Sequence, residues 1–191
     1  MSFVPPYRYV TASALASALK NGAASSSSAA VTPTKRRDIA IIDVRDDDFE
    51  GGNIVGALNV PSTTFDQKVH QLVEKELKDV PTVIFHCSLS QQRGPKSARI
   101  YSETRRAALD AGVIKPLSPA TTTGEDEGQG GRALLQPEDE ETGGPRPTAR
   151  RSENGGQTIL VLRDGFSNFG RVYKEDKALV EGWDEEAWSW R

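Results

Sequence analysis

Cysteine is almost missing from this 191-residue chain: Cys87 stands alone, with His70 and His86 the only histidines. One cysteine excludes an internal disulfide, and with only His70 and His86 besides, no metal-ligand spacing exists. No metal site and no bound cofactor are therefore expected. Positive charge is not in excess either. The formal net charge of −3 gives no electrostatic case for nucleic acid. Long apolar runs are also lacking, none approaching the ~20 residues that a membrane span requires. The start, Met1 to Pro6, has neither a basic stretch nor an apolar core and does not read as a secretory signal. A reduced compartment, cytoplasmic or nuclear, is the expectation, and it suits a chain that keeps a free thiol. Lys35-Arg36-Arg37 and Arg150-Arg151 are short enough to be read as charged loop edges rather than import signals.

Two segments have the composition of insertions into one compact domain. Residues 22–34 are rich in Ala and Ser and read as a flexible loop. Residues 115–157 hold 8 Gly, 5 Pro and 8 acidic residues but no aromatic, too little apolar surface to offset chain entropy. Disorder is expected there. Setting both aside leaves a chain of ordinary single-domain length.

The remainder alternates strand and helix. Tyr7–Val10 reads as a short strand, and Thr11 or Ser13 can cap a helix over Ala14–Asn21. Asp38–Asp43 is a short β-rich apolar run of the kind buried in a parallel sheet. Gly56–Val60 reads as a further strand. Phe65, Val69, Leu72, Val73 and Leu77 share one helical face. Strand Val83–His86, helix Pro95–Ala111 and strand Thr158–Leu162 complete the succession. Such a βαβα order implies a parallel sheet covered by helices, with sites at the carboxyl ends of its strands.

Cys87 sits at one of those ends. Arg93 closes a Cys-x5-Arg spacing, and Gly94-Pro95 opens the helix that follows. The backbone N–H groups of Ser88, Leu89, Ser90, Gln91, Gln92 and Arg93 can point inward around a bound oxyanion. The helix N-terminus adds partial positive charge, and the Arg93 fork matches two oxygens. The same field favours the thiolate form of Cys87. One loop therefore offers an anion cradle and a nucleophile together; the competing reading is a small buried structural cysteine.

The run Ile41–Pro61, with Asp43-Val44-Arg45 and Gly56-Ala57-Leu58-Asn59-Val60-Pro61, resembles the first signature of the rhodanese family. Asn53 stands where many members carry His. Leu160–Phe169 resembles the second signature, with Asp164 replacing the first Gly. His86-Cys87 through Arg93-Gly94-Pro95 matches every fixed position of "H-C-x-x-S-x-x-R-G-P". That pattern belongs to the M-phase inducer phosphatases and the related small eukaryotic arsenate reductases. The resemblance implies an α/β fold, a single rhodanese-like domain over 1–191 with a parallel sheet flanked by helices on both faces and two flexible insertions.

It also implies chemistry. Cys87 would attack phosphorus and form a thiophosphate, as in a protein tyrosine or dual-specificity phosphatase acting on a phosphorylated protein or a small oxyanion. The alternative is an arsenate reductase using glutathione and glutaredoxin as external reductant. A sulfurtransferase fits less well, because those members have a loop one residue shorter. A non-catalytic module that binds phosphorylated partners is the remaining reading.

The supporting residues carry bland readings beside functional ones. Ser90 can donate to the sulfur or merely stabilise the turn. His86 is expected to order the loop through a hydrogen bond. Asp43 and Arg45 read as a structural pair, and Asp46, Asp47 and Asp48 as a solvated acidic turn. No general acid is assigned. Trp183, Trp188 and Trp190 read as an amphipathic tail packing over the sheet, with a docking surface as the alternative.

Overall fold

The computed structural model describes residues 5–24, 38–117 and 153–189. Five strands form one sheet in the order β1-β6-β5-β2-β4, every neighbouring pair parallel. These are β1 (Arg8–Val10), β2 (Ile39–Asp43), β4 (Leu58–Asn59), β5 (Thr82–His86) and β6 (Thr158–Leu162). A two-stranded antiparallel ribbon joins β3 (Asn53–Ile54) to β7 (Val180–Glu181).

Side-chain alternation along the central strands divides the apolar residues between two cores. Val83 and Phe85 of β5 and Ile159 and Val161 of β6 face α2 (Phe65–Gln71) and α3 (Arg93–Asp110). Ile84, Leu160 and Leu162 point the other way, toward α1 (Ala12–Ala24) and α4 (Gly165–Tyr173). The short α5 (Glu185–Ser189) ends the described chain. The expected α/β sheet with helices on both faces is the observed architecture.

Several boundaries differ from expectation. The helix expected across Phe65–Leu77 is α-helical only to Gln71, then widens into a π turn over Leu72–Glu76. There the Leu77 N–H donates to the Leu72 carbonyl at 2.8 Å. The extra residue in that turn brings Leu72, Val73 and Leu77 together into the core.

The 22–34 and 115–157 segments lie mostly outside the described residues, as do both short basic clusters. Their described edges are corrected. Helix α1 runs on to Ala24, and residues 153–157 pack against the domain. Gln157 is fully buried, and its side-chain amide donates to the carbonyls of Leu77 and Val80 at 2.8 and 2.7 Å. Asn154 accepts from the Ser102 hydroxyl at 2.8 Å and, through its backbone carbonyl, from Arg105 at 3.0 Å. Polar side chains are here the packing residues because they satisfy buried backbone groups, a role that composition does not reveal. Burial pushes the neighbouring Tyr101 hydroxyl up to about 12.

Trp183 and Trp188 pack against the core on the α1 and α4 side of the sheet. Their rings stack at 5.4 Å and 7°, and both meet Phe166 of α4. The Trp188 Nε1–H donates to the Gly51 carbonyl at 2.7 Å, tying the C-terminal segment to the turn before β3. Trp190 lies outside the described residues.

Candidate active site

Strand β2 lies beside β5 with Asp43 opposite His86. The turns that leave these two strands therefore meet at one sheet edge. Cys87 is the first residue beyond β5 and is 4% exposed. The Ser90 backbone N–H donates to its Sγ at 3.2 Å, while the Cys87 N–H donates to the Ser90 Oγ at 3.4 Å. Ser90 adopts φ +51°, the left-handed conformation that closes the turn around the sulfur. Its side chain thus accepts from the backbone, the turn-stabilising role, while its amide faces the Cys87 sulfur. Leu89, Gln91 and Gln92 project outward, and α3 begins at Arg93, two residues earlier than expected.

The loop is held from outside by the second signature turn. The N–H groups of Phe166 and Ser167, at the start of α4, donate to the carbonyls of Cys87 and Ser88, both at 2.9 Å. In a trans peptide the following N–H points opposite to the carbonyl. The amides of Ser88 and Leu89 are thereby aimed away from α4. Gly165 makes this contact possible: its φ is +60°, and a Cβ there would overlap the Cys87 and Ser88 carbonyl oxygens. Gly165→Ala is expected to destabilise the fold by about 1–3 kcal/mol and to lower oxyanion affinity. Thermal melts and vanadate titration check this; wild-type values in both would remove the α4 contact from the loop's support.

Asp43 and Arg45 form a fully buried pair. Arg45 Nη2 and Nε donate to Asp43 Oδ2 at 2.6 and 2.9 Å, and Nη2 also donates to the Gly52 carbonyl at 2.8 Å. The guanidinium is sandwiched by Phe166 and Phe49, at 4.2 and 5.0 Å from their ring centroids. Asp43 does not reach the sulfur's surroundings as a reactant; it fixes the backbone of the turn that follows β2.

His86 departs from expectation. It is fully buried, and neither ring nitrogen makes a hydrogen bond; Nδ1 stays 3.8 Å from Asp43 Oδ1. Burial holds its pKa below the ordinary imidazole value, outweighing the opposite pull of Asp43. It packs as a neutral ring against Phe166, and its carbonyl accepts the Val44 N–H at 2.8 Å. The loop is ordered by backbone and serine contacts instead.

The acidic turn also departs from expectation. Asp47 is exposed, but Asp46 and Asp48 grip Arg93. Arg93 Nη1 donates to Asp48 Oδ1 at 2.6 Å and to Asp46 Oδ2 at 3.1 Å, and Nη2 to Asp48 Oδ2 at 2.5 Å. The Ser88 hydroxyl also donates to Asp48 Oδ2. The Arg93 bond holds the Asp48 carboxyl far below the usual carboxylate range, and Asp48 in turn raises Arg93. For Asp46, burial acts upward but the bonds from Ser62, Thr63 and Arg93 together win, lowering it. These contacts escape a reading of the turn alone, because an Asp-x-Asp run is ordinarily solvated. The adjacency of β2 and β5 is the signal that brings it to Arg93. Among the described residues no cluster of His, Cys, Asp and Glu could hold a metal ion, and no helix is long and apolar enough to cross a membrane.

A cavity of ≈ 720 Å³ opens beside the loop, lined by Ser88, Leu89, Asp164, Arg171, Trp183 and Trp188 among others. Around Cys87 the structure thus brings together a buried sulfur at a strand end, an amide aimed at it and an arginine at the start of the helix that follows the turn.

The Rhodanese-like domain model matches residues 28–114. The dual specificity phosphatase ibp1 of Schizosaccharomyces pombe is 49% identical over 144 residues, 75% of this chain and 83% of that protein. The chain belongs to the rhodanese-like family. Arsenate reductase 2.2 of Oryza sativa is 33% identical over 80 residues, 41% of this chain and 61% of that protein. A solved yeast protein tyrosine phosphatase of the Rhodanese family superimposes with a TM-score of 0.56 at 22% identity, covering 98% of this chain and 99% of that one. That likeness concerns the fold. The relatives of this rhodanese-like chain are thus Cdc25-like dual specificity phosphatases and arsenate reductases.

Proposed function

We propose that this rhodanese-like protein is a cysteine-dependent phosphatase of the tyrosine or dual-specificity kind. The observation that carries the reading is the Ser90 N–H on the Cys87 sulfur at 3.2 Å, within a turn that Arg93 closes. Sγ attacks phosphorus as the P–O bond to the leaving group breaks, giving a thiophosphate; water then attacks phosphorus and releases phosphate and the thiolate. Amides at the turn and the Arg93 fork stabilise the equatorial oxygens as charge moves through the transition state. The six-residue step from Cys87 to Arg93 suits a tetrahedral oxyanion. Phosphorylated protein and small oxyanions are the proposed substrates, with no bound cofactor.

Arsenate reduction is the second reading, supported by the likeness to a plant arsenate reductase. The single cysteine of the chain would then require glutathione and glutaredoxin to reduce the thiol adduct. Side-by-side assays decide between them. The purified protein is expected to hydrolyse p-nitrophenyl phosphate and to produce no arsenite from arsenate with glutathione and glutaredoxin. Arsenite without phosphate release would transfer the assignment to the reductase. Phosphopeptide affinity with neither turnover would leave a binding module.

A further inference from the structure

The loop of Cys87 holds no carboxylic acid, so the proton that a departing alkoxide or phenoxide needs must come from elsewhere. Two carboxylates reach it from the turn after β2, and they are held differently. Asp46 is anchored to another segment: it accepts from the Ser62 hydroxyl at 2.7 Å and from the Thr63 N–H and hydroxyl, both at 3.0 Å. Asp48 faces the loop directly. Its carboxylate accepts both arms of the Arg93 fork and the Ser88 hydroxyl, and so spans the loop from the residue after the nucleophile to its last. Two oxygens lie on the guanidinium as two oxygens of a phosphate would.

We propose that Asp48 is the proton donor to the leaving group, released for that task when the substrate's phosphate takes its place on Arg93. The proposal rests on the phosphatase reading above. An ionised carboxylate paired to a guanidinium cannot donate a proton. When the phosphate arrives, it removes that partner and sets its own negative charge beside the carboxylate. Both changes favour the protonated acid. Among the groups facing Asp48 are Arg93 from α3, Ser88 from the loop and Asp46 from its own turn, while Arg45 Nη1 lies 3.4 Å from its backbone carbonyl. Asp46 acts both ways: its backbone N–H, donating to Asp48 Oδ1 at 3.1 Å, favours the carboxylate, while its own negative charge disfavours it.

The step balances without another reactant. Asp48 takes a proton from solvent as substrate binds. Sγ bonds to phosphorus, the ester oxygen leaves with its electron pair, and the Asp48 proton neutralises it. In the second half Asp48, again a carboxylate, takes a proton from the attacking water while the P–S bond breaks and the thiolate departs. The backbone of the 3-10 turn Asp47–Phe49 keeps the carboxylate at the loop after it has left Arg93.

Leaving-group dependence tests this, using Asp48→Asn in the full chain with phosphotyrosine and 2,4-dinitrophenyl phosphate. Phenolate from tyrosine, with a pKa near 10, needs a proton; dinitrophenolate does not. Phosphotyrosine turnover is expected to fall about 10²–10⁴-fold, the ordinary contribution of general acid catalysis, while dinitrophenyl phosphate turnover changes less than about tenfold on that account. Vanadate inhibition should be as tight as in the unaltered protein or tighter, since a competing carboxylate has been neutralised. Equal losses on both esters, no loss on either, or vanadate binding weakened tenfold or more would overturn the assignment. Failure of the phosphatase reading has a different signature, the unaltered protein turning over neither ester, and the proposal would fall with it.

Discussion

Cys87→Ser is expected to remove phosphatase turnover, lowering kcat by roughly 10⁵–10⁶-fold, the scale on which deleting a covalent nucleophile acts. The reason is ionisation rather than shape. The thiolate is the nucleophilic form of cysteine, and a thiol is a few per cent ionised even in water at neutral pH. A serine hydroxyl at the same place is not ionised at neutral pH, and neither His86 ring nitrogen makes a hydrogen bond through which it could take the proton. His86, the nearest imidazole in sequence, is buried against Phe166 and neutral. The fold should tolerate the change, because the larger sulfur is replaced by a smaller atom of similar hydrogen-bonding direction. Vanadate and phosphate should still bind, since Arg93 and the loop amides are untouched. Rapid-quench kinetics and trapping of the phosphorylated intermediate check the prediction. Turnover within tenfold of the unaltered protein, or a trapped phosphoryl group on another residue, would remove Cys87 from the mechanism.

The strand, turn and helix start around Cys87 were legible in the sequence because they are local. A β-rich run, a cysteine, five residues and an arginine before Gly94-Pro95 specify a strand, a turn and a helix start without knowledge of any distant contact. The two-faced sheet was legible for the same reason: strands such as Thr82–His86 and Thr158–Leu162 are apolar at odd and even positions alike. Non-local pairing escaped. Asp46 and Asp48 read as a solvated turn until β2 and β5 are known to be neighbours, at which point their reach to Arg93 follows. His86 read as a hydrogen-bonding residue because it ends a strand just before the loop, but its ring is buried against Phe166 with neither nitrogen in a hydrogen bond. Residues 153–157 carried the composition of the long polar segment before them. The burial of Gln157 among them depends on the carbonyls of Leu77 and Val80, which only the folded chain brings close. The short ribbon of β3 and β7 is likewise set by tertiary contact, with two residues on each side.

The buried pair beneath the turn carries the second large effect. Asp43→Ala is expected to destabilise the domain by about 3–5 kcal/mol, the cost of leaving a buried charge without its partner. At roughly 2–4 °C per kcal/mol for a chain of this size, the melting temperature should fall by about 6–20 °C. Three Arg45 bonds to the Asp43 carboxylate are lost, from Nε and Nη2, together with the Arg45 backbone N–H bond to Oδ1 at 3.0 Å. The Gly52 carbonyl and the two phenyl faces remain, but they cannot neutralise a guanidinium. The double variant Asp43→Ala/Arg45→Met should recover much of the loss, because no charge is then stranded and the thioether can fill the slot between Phe49 and Phe166. A coupling of more than about 1 kcal/mol between the two changes is the expected result of the double-mutant cycle. Strict additivity, or a single-variant loss below about 1 kcal/mol, would show that the pair is not what fastens this turn. Even the stable double variant should be a poor catalyst. The Arg45 N–H bond to Asp43 sets the backbone from which Asp46 and Asp48 reach Arg93, so stability recovered by apolar packing does not restore the carboxylates to the loop.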